Sequence, residues 1–352
     1  MIERNALLTG LDGTNPLGFF AALGTLKILH EQSIAENAPL PRLAWENDGR
    51  WRPRLWGVPD IETVVDAVLK DRQTWQSEPA LELAYDESGN LVEPSPIGHQ
   101  AATDLQDGDG EDGPEPPSRG QPEGRRAAKN ADRMKRDLKP TTSALRAFFL
   151  GLVESGHERR VRSLAMAAAF GTETAVDNNG NVKPTAFHFT AGQQMFLAMV
   201  RDLRGGIGRA HIEEALIGPW KNASTLPSLS WDAAAARIYA LRAANPSGEK
   251  RGSVPGANWL AFVGLQFFPL APLGGQVATP CVTGGWKDAK FRWPLWRDAL
   301  TADAVTSLLR MGRFVADPGA NRAMGIETVL ESAILRAEQG GYGSFAPASV
   351  FL

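Results

Sequence analysis

The sequence predicts a mixed α+β fold, in which helices and strands follow one another without a regular βαβ repeat. Segments with the apolar period of a helix are interspersed with short strand-like runs, and no internal repeat relates them. The 352-residue chain is 43% hydrophobic and 22% charged, which is typical of a protein with a large buried core. One shift in composition divides the chain. We expect an N-terminal α+β region (1–97), a low-complexity acidic/basic loop (98–140) and a main α+β region (141–352) that could form one domain with the first.

The first predicted elements are a strand, a turn and a smooth apolar helix. Residues 6–11 favour a short strand and "DGT" at 12–14 favours a turn. Asn15 is a typical helix N-cap and Pro16 a typical first helical residue, so a helix is expected from there to about Gln32. Another backbone could approach the small residues of this helix: Gly18, Ala21, Ala22 and Gly24. The turn either only begins a packed core or also presents amides and Asn15 to nucleic acid or a neighbouring subunit.

A hairpin over 43–56, turning at Asn-Asp-Gly, and a helix over 60–72 follow. The low-complexity loop then begins with acidic, Gly- and Pro-rich sequence that has few apolar anchors, so it is expected to be mobile. Its second half is basic and carries candidate phosphate contacts: Arg125, Arg126, Lys129, Arg133, Lys135 and Arg136. The acidic and basic halves could instead neutralise each other.

The main region is expected to contain both element types. Helices are predicted over 142–155 and 157–170, and "DNNGN" at 177–181 predicts a hairpin turn. Residues 187–206 predict a strand, a Thr190 cap, a helix and a glycine stop. Further segments are assigned as strands over 237–242, 259–269, 276–282, 290–296 and 326–337, and as a helix over 301–312.

No pattern of catalytic or metal-binding residues stands out. The five histidines are scattered singly, and the only cysteine, Cys281, excludes an internal disulfide and a multi-thiolate zinc site. The glycine-rich stretch at 203–211 follows a helix and lacks the ending of a phosphate-binding loop. We therefore expect no catalytic residue, metal or cofactor. The alternative is a hydrolase or nuclease whose acids meet only in space, with Asp12, Glu173 and Asp232 as nominal candidates.

Binding is better supported than catalysis. A net charge of −3 means that nucleic acid could bind only where cations are concentrated. Clusters at 50–56, 248–253 and 285–297 interleave cations with tryptophan or place them in glycine-rich loops. Alternation over 290–293 would place the cations on one face and the aromatics on the other, which also fits an ordinary solvated strand. The expected phosphate contacts are Lys250, Arg251, Lys287 and Lys290, with Trp286 stacking on an unpaired base.

Segments from end to end resemble the large-subunit-type proteins of type I-G (formerly I-U) CRISPR-Cas effector complexes. The opening "LTGLDGTNPLGFFAALGTLKIL" is similar to the start of these proteins, in which an Asn-Pro turn precedes a small-residue apolar helix. Four more segments, which bring the total to about a third of the chain, are similar in the same order: "FHFTAGQQMFLAMVRDL", "SWDAAAARIYALRAANPS", "ANWLAFVGLQFFPLAP" and "FRWPLWRDAL".

The resemblance implies a non-catalytic subunit of a crRNA-guided antiviral surveillance complex. Such a subunit helps to recognise the double-stranded DNA beside the target and to stabilise the opened strands, while a separate helicase-nuclease cleaves. The implied partners are the crRNA-containing complex of other CRISPR-associated subunits, the target DNA and that nuclease. Neither a signal peptide nor a long apolar run is evident, so a cytoplasmic location without membrane contact is expected. A scaffold that contacts only other proteins is the remaining alternative.

Overall fold

The chain has a mixed α+β fold, as the sequence predicts. The structure is a computed structural model that describes residues 4–83, 130, 133–154, 160–190, 194–235, 252–311, 314, 316–336 and 342–351. The helices in these ranges are α1 (Pro16–Ala35), α2 (Ile61–Thr74), α3 (Thr142–Glu154), α4 (Arg160–Phe170), α5 (Phe196–Gly206), α6 (Arg209–Leu216), α7 (Pro255–Gly264), α8 (Ala302–Met311) and α9 (Pro318–Ala323). Among the described residues, none of the helices combines the length and the apolar character that spanning a bilayer requires.

The strands form small, separate antiparallel sheets. They are β1 (Asn5–Leu7), β2 (Arg42–Asn47), β3 (Trp51–Trp56), β4 (Gly171–Val176), β5 (Val182–Pro184), β6 (Ala271–Leu273), β7 (Gln276–Ala278), β8 (Val282–Thr283), β9 (Lys290–Trp296), β10 (Ile326–Arg336), β11 (Gly343–Phe345) and β12 (Ser349–Val350). One sheet has the order β1-β3-β2, and a larger one has the order β11-β10-β9-β8 with β12 also paired to β10. The remaining pairs, β4-β5 and β6-β7, are hairpins.

Helices α1 and α7 pack against each other at the centre of the molecule. A Cβ on Gly24 would lie 1.8 Å from the Leu260 carbonyl oxygen, and one on Gly264 would lie 2.3 Å from the Phe20 carbonyl oxygen. The backbones therefore touch where side chains are absent, which confirms the prediction of close approach on α1. The predicted cap is also confirmed, because Asn15 accepts a hydrogen bond from the Leu17 amide at 3.0 Å.

An aromatic cluster connects this helix pair to the larger sheet. Phe20 on α1 packs against Phe187, Phe268 and Phe291, with ring centroids 5.0–5.2 Å apart. Phe291 lies on β9 and stacks on Trp293 at 4.8 Å. Six tryptophans are fully buried, so most of the unusual tryptophan content serves the core: Trp45, Trp75, Trp231, Trp259, Trp293 and Trp296.

The structure corrects three sequence assignments. Residues 187–189, predicted as a strand, form no strand, and all three are buried, so burial does not alternate along them. The segment 259–269, predicted as a strand, forms the end of α7 and a 3-10 turn. Every residue of α7 is buried, so no polar face marks the segment as a helix in the sequence. Thr190, predicted as a helix cap, instead donates its hydroxyl to Asp137 at 2.9 Å, while α5 begins at Phe196 after Met195.

The predicted low-complexity loop is too long at its C-terminal end. Residues 133–136 are helical, and Asp137 and Leu138 are buried at 7% and 1% exposure. Leu138 supplies an apolar anchor and Asp137 a buried hydrogen-bonding group, which the overall composition of the segment conceals. Residues 98–129 of that prediction, and the predicted strand at 237–242, lie outside the described residues.

Candidate nucleic-acid interface

The exposed tip of the larger sheet is the loop 284–289, which joins β8 to β9. Gly284 has a φ of +83°, and a Cβ there would lie 2.6 Å from the Asp288 carbonyl oxygen, so the turn requires glycine. The Asp288 carboxylate closes the turn by accepting the Gly285 amide at 2.8 Å. Trp286 and Lys287 occupy the tip of this turn and both are exposed. All ten tryptophans lie in the described part of the chain, and Trp286 alone among them is exposed, at 58%.

The Trp286 ring rests on a guanidinium group. The Arg336 Cζ atom lies 3.7 Å from the centroid of the Trp286 ring and 5.5 Å from that of Phe189. Phe189 is buried and packs edge-to-face against Phe345 of β11, with ring centroids 5.0 Å apart. Trp286 is therefore held at the surface by a column of planar groups that reaches into the core.

Arg336 is fixed by the backbone, and no acid among the described residues pairs with it. Its Nη1 and Nη2 groups donate to the carbonyl oxygens of His188 and Ala186 at 3.2 and 2.7 Å. No carboxylate of the described residues forms an ion pair with it, and burial lowers the pKa of Arg336 to about 10. The guanidinium stays protonated at neutral pH, so it carries a positive charge beneath Trp286 that no acid among the described residues neutralises.

Lys287 of the loop and Lys290 at the start of β9 differ in how much of their charge is available. Lys287 is exposed, and no described side chain pairs with it. Lys290 lies 2.8 Å from Glu331, and Arg292 lies 2.6 Å from the same carboxylate. Burial of Glu331 is outweighed by the hydrogen bonds from these two cations, so the pKa of Glu331 is lowered and it stays ionised. The predicted alternation of β9 is confirmed, but one acid neutralises part of its cationic face.

The first basic group of the prediction is connected to the same region through residues 186–190. Arg133 is exposed, and Lys135 and Arg136 are half-buried on the helical turn that precedes Asp137. Asp137 accepts from Thr190 at 2.9 Å and lies 3.1 Å from the His188 Nε2 atom. The carbonyls of residues 186 and 188 also hold Arg336. Residues 186–190 thus join the 133–136 turn to the base of the Trp286 column.

Asn15 belongs to a structural network rather than to this surface. Its Oδ1 atom caps α1, and its Nδ2 group donates to Asp232 at 2.7 Å. The three acids of the hydrolase alternative, Asp12, Glu173 and Asp232, do not line one cleft. Asp12 accepts from the Thr14 amide and hydroxyl, whereas Glu173 lines a 420 Å³ cleft beside α3 to which neither Asp12 nor Asp232 contributes.

The remaining predicted site residues lie outside the described residues: Arg125, Arg126, Lys129, Lys250 and Arg251. Arg336 is the functional candidate that sequence reasoning missed. It is the last residue of the largely apolar strand β10, and only the fold brings it beneath a tryptophan fifty residues earlier in the chain. No local pattern could have indicated that contact.

Buried Cys281 is a packing residue, because burial raises the pKa of its thiol and its Sγ donates to the Leu309 carbonyl at 3.3 Å. Within the described ranges no three His, Cys, Asp or Glu side chains gather as a metal site would require. No family model matches the chain, and no curated protein matches it.

Proposed function

We propose that this protein is a non-catalytic, nucleic-acid-contacting subunit of a crRNA-guided antiviral surveillance complex that works in the cytoplasm. In this role it helps to recognise the duplex beside the target and to stabilise the opened strands, and a separate helicase-nuclease performs cleavage. The sequence resemblance supplies the identity of the complex. The observation that carries the nucleic-acid role is Trp286, exposed at a loop tip beside Lys287 and underlain by the positive charge of Arg336.

This combination suits nucleic acid for physical reasons. An exposed aromatic ring gives a base a stacking surface, and a neighbouring cation gives its phosphate a counter-charge. A tryptophan that is 58% exposed contributes less to the stability of its own domain than a fully buried one. Lys287 should contribute more to phosphate binding than Lys290. Lys287 is unpaired among the described side chains, whereas Lys290 shares Glu331 with Arg292.

The protein-only scaffold keeps a specific observation in its favour. Helix α3 exposes Leu150 and Val153 at 50% and 54%, and Val161 near the start of α4 is exposed at 76%. A contiguous patch of exposed apolar side chains is typical of contact with another protein. Both the scaffold and the nucleic-acid-contacting subunit would use these apolar residues, since a subunit of a ribonucleoprotein complex also binds neighbouring subunits.

Co-expression with and without the neighbouring subunits and a crRNA tests the proposal. We expect the chain to co-purify with RNA of crRNA length on denaturing gels, and only when those subunits are present. The affinity of the assembled complex for duplex and R-loop DNA is then measured across a salt series. Lys287→Ala should lower the log-log salt slope by about one, because each phosphate contact contributes roughly that amount. Lys290→Ala should lower it by less.

Lys70→Ala is the matched control. Lys70 is exposed on α2, where it pairs with Glu36 of the loop that follows α1. Its removal changes the net charge equally but leaves the loop 284–289 intact, so the slope should stay at the wild-type value. Equal slopes for all three variants and the wild type, in a complex that assembles normally, would support the scaffold instead.

A further inference from the structure

We propose that Arg336 is a positioning residue that holds Trp286 ready to stack on one unpaired base of single-stranded nucleic acid. This inference rests on the proposed function and names the ligand that the loop takes. The three groups Phe189, Arg336 and Trp286 form the stacking column. The base is its fourth layer, on the outer face of the indole.

The exposure of Trp286 indicates where the base fits. Arg336 covers one face of the indole, with its Cζ atom 3.7 Å from the ring centroid. A ring with one face covered and the other open to solvent retains about half of its surface, and Trp286 retains 58%. The open face is therefore the outer one. Only an unpaired base can use it, because the bases of a duplex already stack on their neighbours.

The attachment of Arg336 explains why the platform is rigid. An exposed tryptophan at a glycine-rich loop tip would ordinarily sample several rotamers, and binding a base would have to restrict them. Two hydrogen bonds to the carbonyls of Ala186 and His188 fix the guanidinium plane, and Phe189 supports it from below. The indole stacks on a plane that is already fixed, so part of the ordering cost is met before the ligand arrives.

The charge of Arg336 also favours a nucleotide over a neutral aromatic ligand. The guanidinium has no acidic partner among the described residues, and Lys287 is the next residue after Trp286. A base stacked on Trp286 would bring its phosphate close to both cations. The same charge makes stacking on the indole part of a cation–π arrangement, which gains strength when water is excluded.

Two readouts on the full-length chain separate this inference from the proposed function. Anisotropy of a labelled oligonucleotide measures whether nucleic acid binds at all. A single 2-aminopurine in a single-stranded oligonucleotide reports stacking, because its fluorescence is quenched when it stacks on an indole. We expect the protein to bind the single strand and to lower its 2-aminopurine fluorescence. When the same base is paired within a duplex, adding the protein should change the fluorescence little.

The variants assign the stacking to its residues. Trp286→Ala should lower single-strand affinity by about 5- to 150-fold with little change in salt slope. Arg336→Lys keeps the charge but loses the plane and the two-pronged donor, so quenching should fall to between the wild-type and Trp286→Ala values while the salt slope is kept. Lys287→Ala should lower the slope and keep the quenching.

Arg292→Lys is the matched control. Arg292 lies on the same sheet as Arg336, and its Cζ atom is also close to an aromatic ring, 3.9 Å from the centroid of Phe351. It should leave the quenching at the wild-type level. If Arg336→Lys melts below the assay temperature, Arg336→Gln, which keeps a planar donor without the charge, is measured instead.

The outcomes are distinct. Binding without quenching, or quenching that Trp286→Ala leaves unchanged, overturns the inference but not the proposed function. Quenching that Arg336→Lys, or its replacement Arg336→Gln, leaves at the wild-type level overturns the positioning role. The absence of binding in anisotropy, by the chain alone and by the assembled complex, overturns both the inference and the proposed function.

Discussion

Two glycines set the distance between the central helices at the scale of single residues. Gly24 of α1 faces the Leu260 carbonyl of α7, and Gly264 of α7 faces the Phe20 carbonyl of α1. Gly24 lies in the middle of α1 and Gly264 is the last residue of α7. In a helix interior, glycine is otherwise unfavourable by roughly 1 kcal/mol compared with alanine. Close packing of the backbones offsets that preference.

Gly24→Ala should therefore lower the free energy of unfolding by about 1–3 kcal/mol or more, the usual range for overpacking a core. The new methyl group would lie 1.8 Å from backbone, which cannot rotate away as a side chain could. Urea unfolding followed by circular dichroism measures the change. Gly205→Ala on α5 is the control, because its Cβ would meet nothing within 4 Å and its stability should be unchanged or slightly higher. Equal effects of the two substitutions would contradict this account of the packing.

A second effect at the residue scale concerns acid stability. Burial lowers the pKa of His188, although the neighbouring Asp137 acts in the opposite direction. Burial alone would raise the pKa of Asp137, but the hydrogen bond and charge of His188, the charge of Lys139 and the Thr190 hydroxyl outweigh it. His188 binds its proton less readily in the folded than in the unfolded chain. Its contribution to stability is therefore present above pH 6.5 and is lost as the pH falls below that value.

His188→Gln tests this sign. The glutamine amide can still donate toward Asp137 and Thr190 but does not titrate, so the loss of unfolding free energy between about pH 7.5 and pH 5.5 should be smaller than in the wild type. The substitution itself should cost about 1–3 kcal/mol at the higher pH, because the hydrogen bonds are less well placed. His30, the other buried histidine among the described residues, is kept in both proteins, so its own lowered pKa cancels in the comparison. If the pH dependence of the unfolding free energy is unchanged in His188→Gln, His188 is not the cause of the loss of stability at acidic pH.

At the scale of elements, a buried ion-pair network fastens three helices together. Arg162 of α4 bonds to Glu31 of α1 and to Asp71 of α2, at 2.7 and 2.8 Å. It also lies over the Trp75 ring, whose Nε1 group donates to Asp71 at 2.9 Å. Burial raises the pKa of Asp71 even though Arg162 opposes it. The aspartate thus depends on the arginine to remain ionised inside the protein.

Arg162→Met should lower the free energy of unfolding by about 3–5 kcal/mol, because it leaves two acids without their shared cation. Arg209→Met is the matched control. Arg209 also joins several acids, Glu62, Asp66 and Glu213, but its side chain is 42% exposed where that of Arg162 is 12% exposed. Solvent screening should make its effect much smaller than that of Arg162→Met. Denaturant melts of both variants measure the difference, and similar losses would show that burial is not what makes the network important.

Elements with local signals were predicted well, and elements determined by the rest of the fold were not. Asn15, Pro16 and the small residues after them identify the start and packing face of α1 without further information. Helix α7 has a proline at its first position too, but its residues are buried all round and rich in aromatic side chains, so its composition is that of a core strand. A spacing of four between Gly256, Leu260 and Gly264 was the helical signal that remained.

The candidate site follows the same division. The alternation of β9 and the exposed position of Trp286 follow from local sequence. The supporting residue Arg336 is fifty positions away, and Asp137 meets His188 across a similar separation. Such pairs depend on how sheets and loops pack, and no spacing within one segment encodes them.

At the scale of the whole molecule, the N-terminal elements and the larger sheet share one core. The Nε1 groups of Trp293 and Trp296, both on β9, donate at 2.8 Å to the carbonyls of Gly13 and Leu43. Leu43 and Leu300 also exchange two backbone hydrogen bonds, at 2.8 and 2.9 Å. One continuous cluster of buried apolar residues extends from Ala6 to Phe345. Neither end of the chain could bury its apolar surface without the other.

A cut in the predicted low-complexity loop should therefore leave the two pieces bound to each other. A protease site inserted near residue 110 should be cleaved readily in the native protein, because the local composition favours access by the enzyme. The cut breaks none of the contacts that hold the two pieces together. These are the contacts between α1 and α7 and those between β2, β9 and their tryptophans. The pieces should co-elute on size exclusion, melt in a single transition and separate only in denaturant. Residues 1–97 expressed alone should be insoluble, since α1 would expose the face that α7 covers. A soluble, folded N-terminal piece that elutes by itself would show instead that its core is independent.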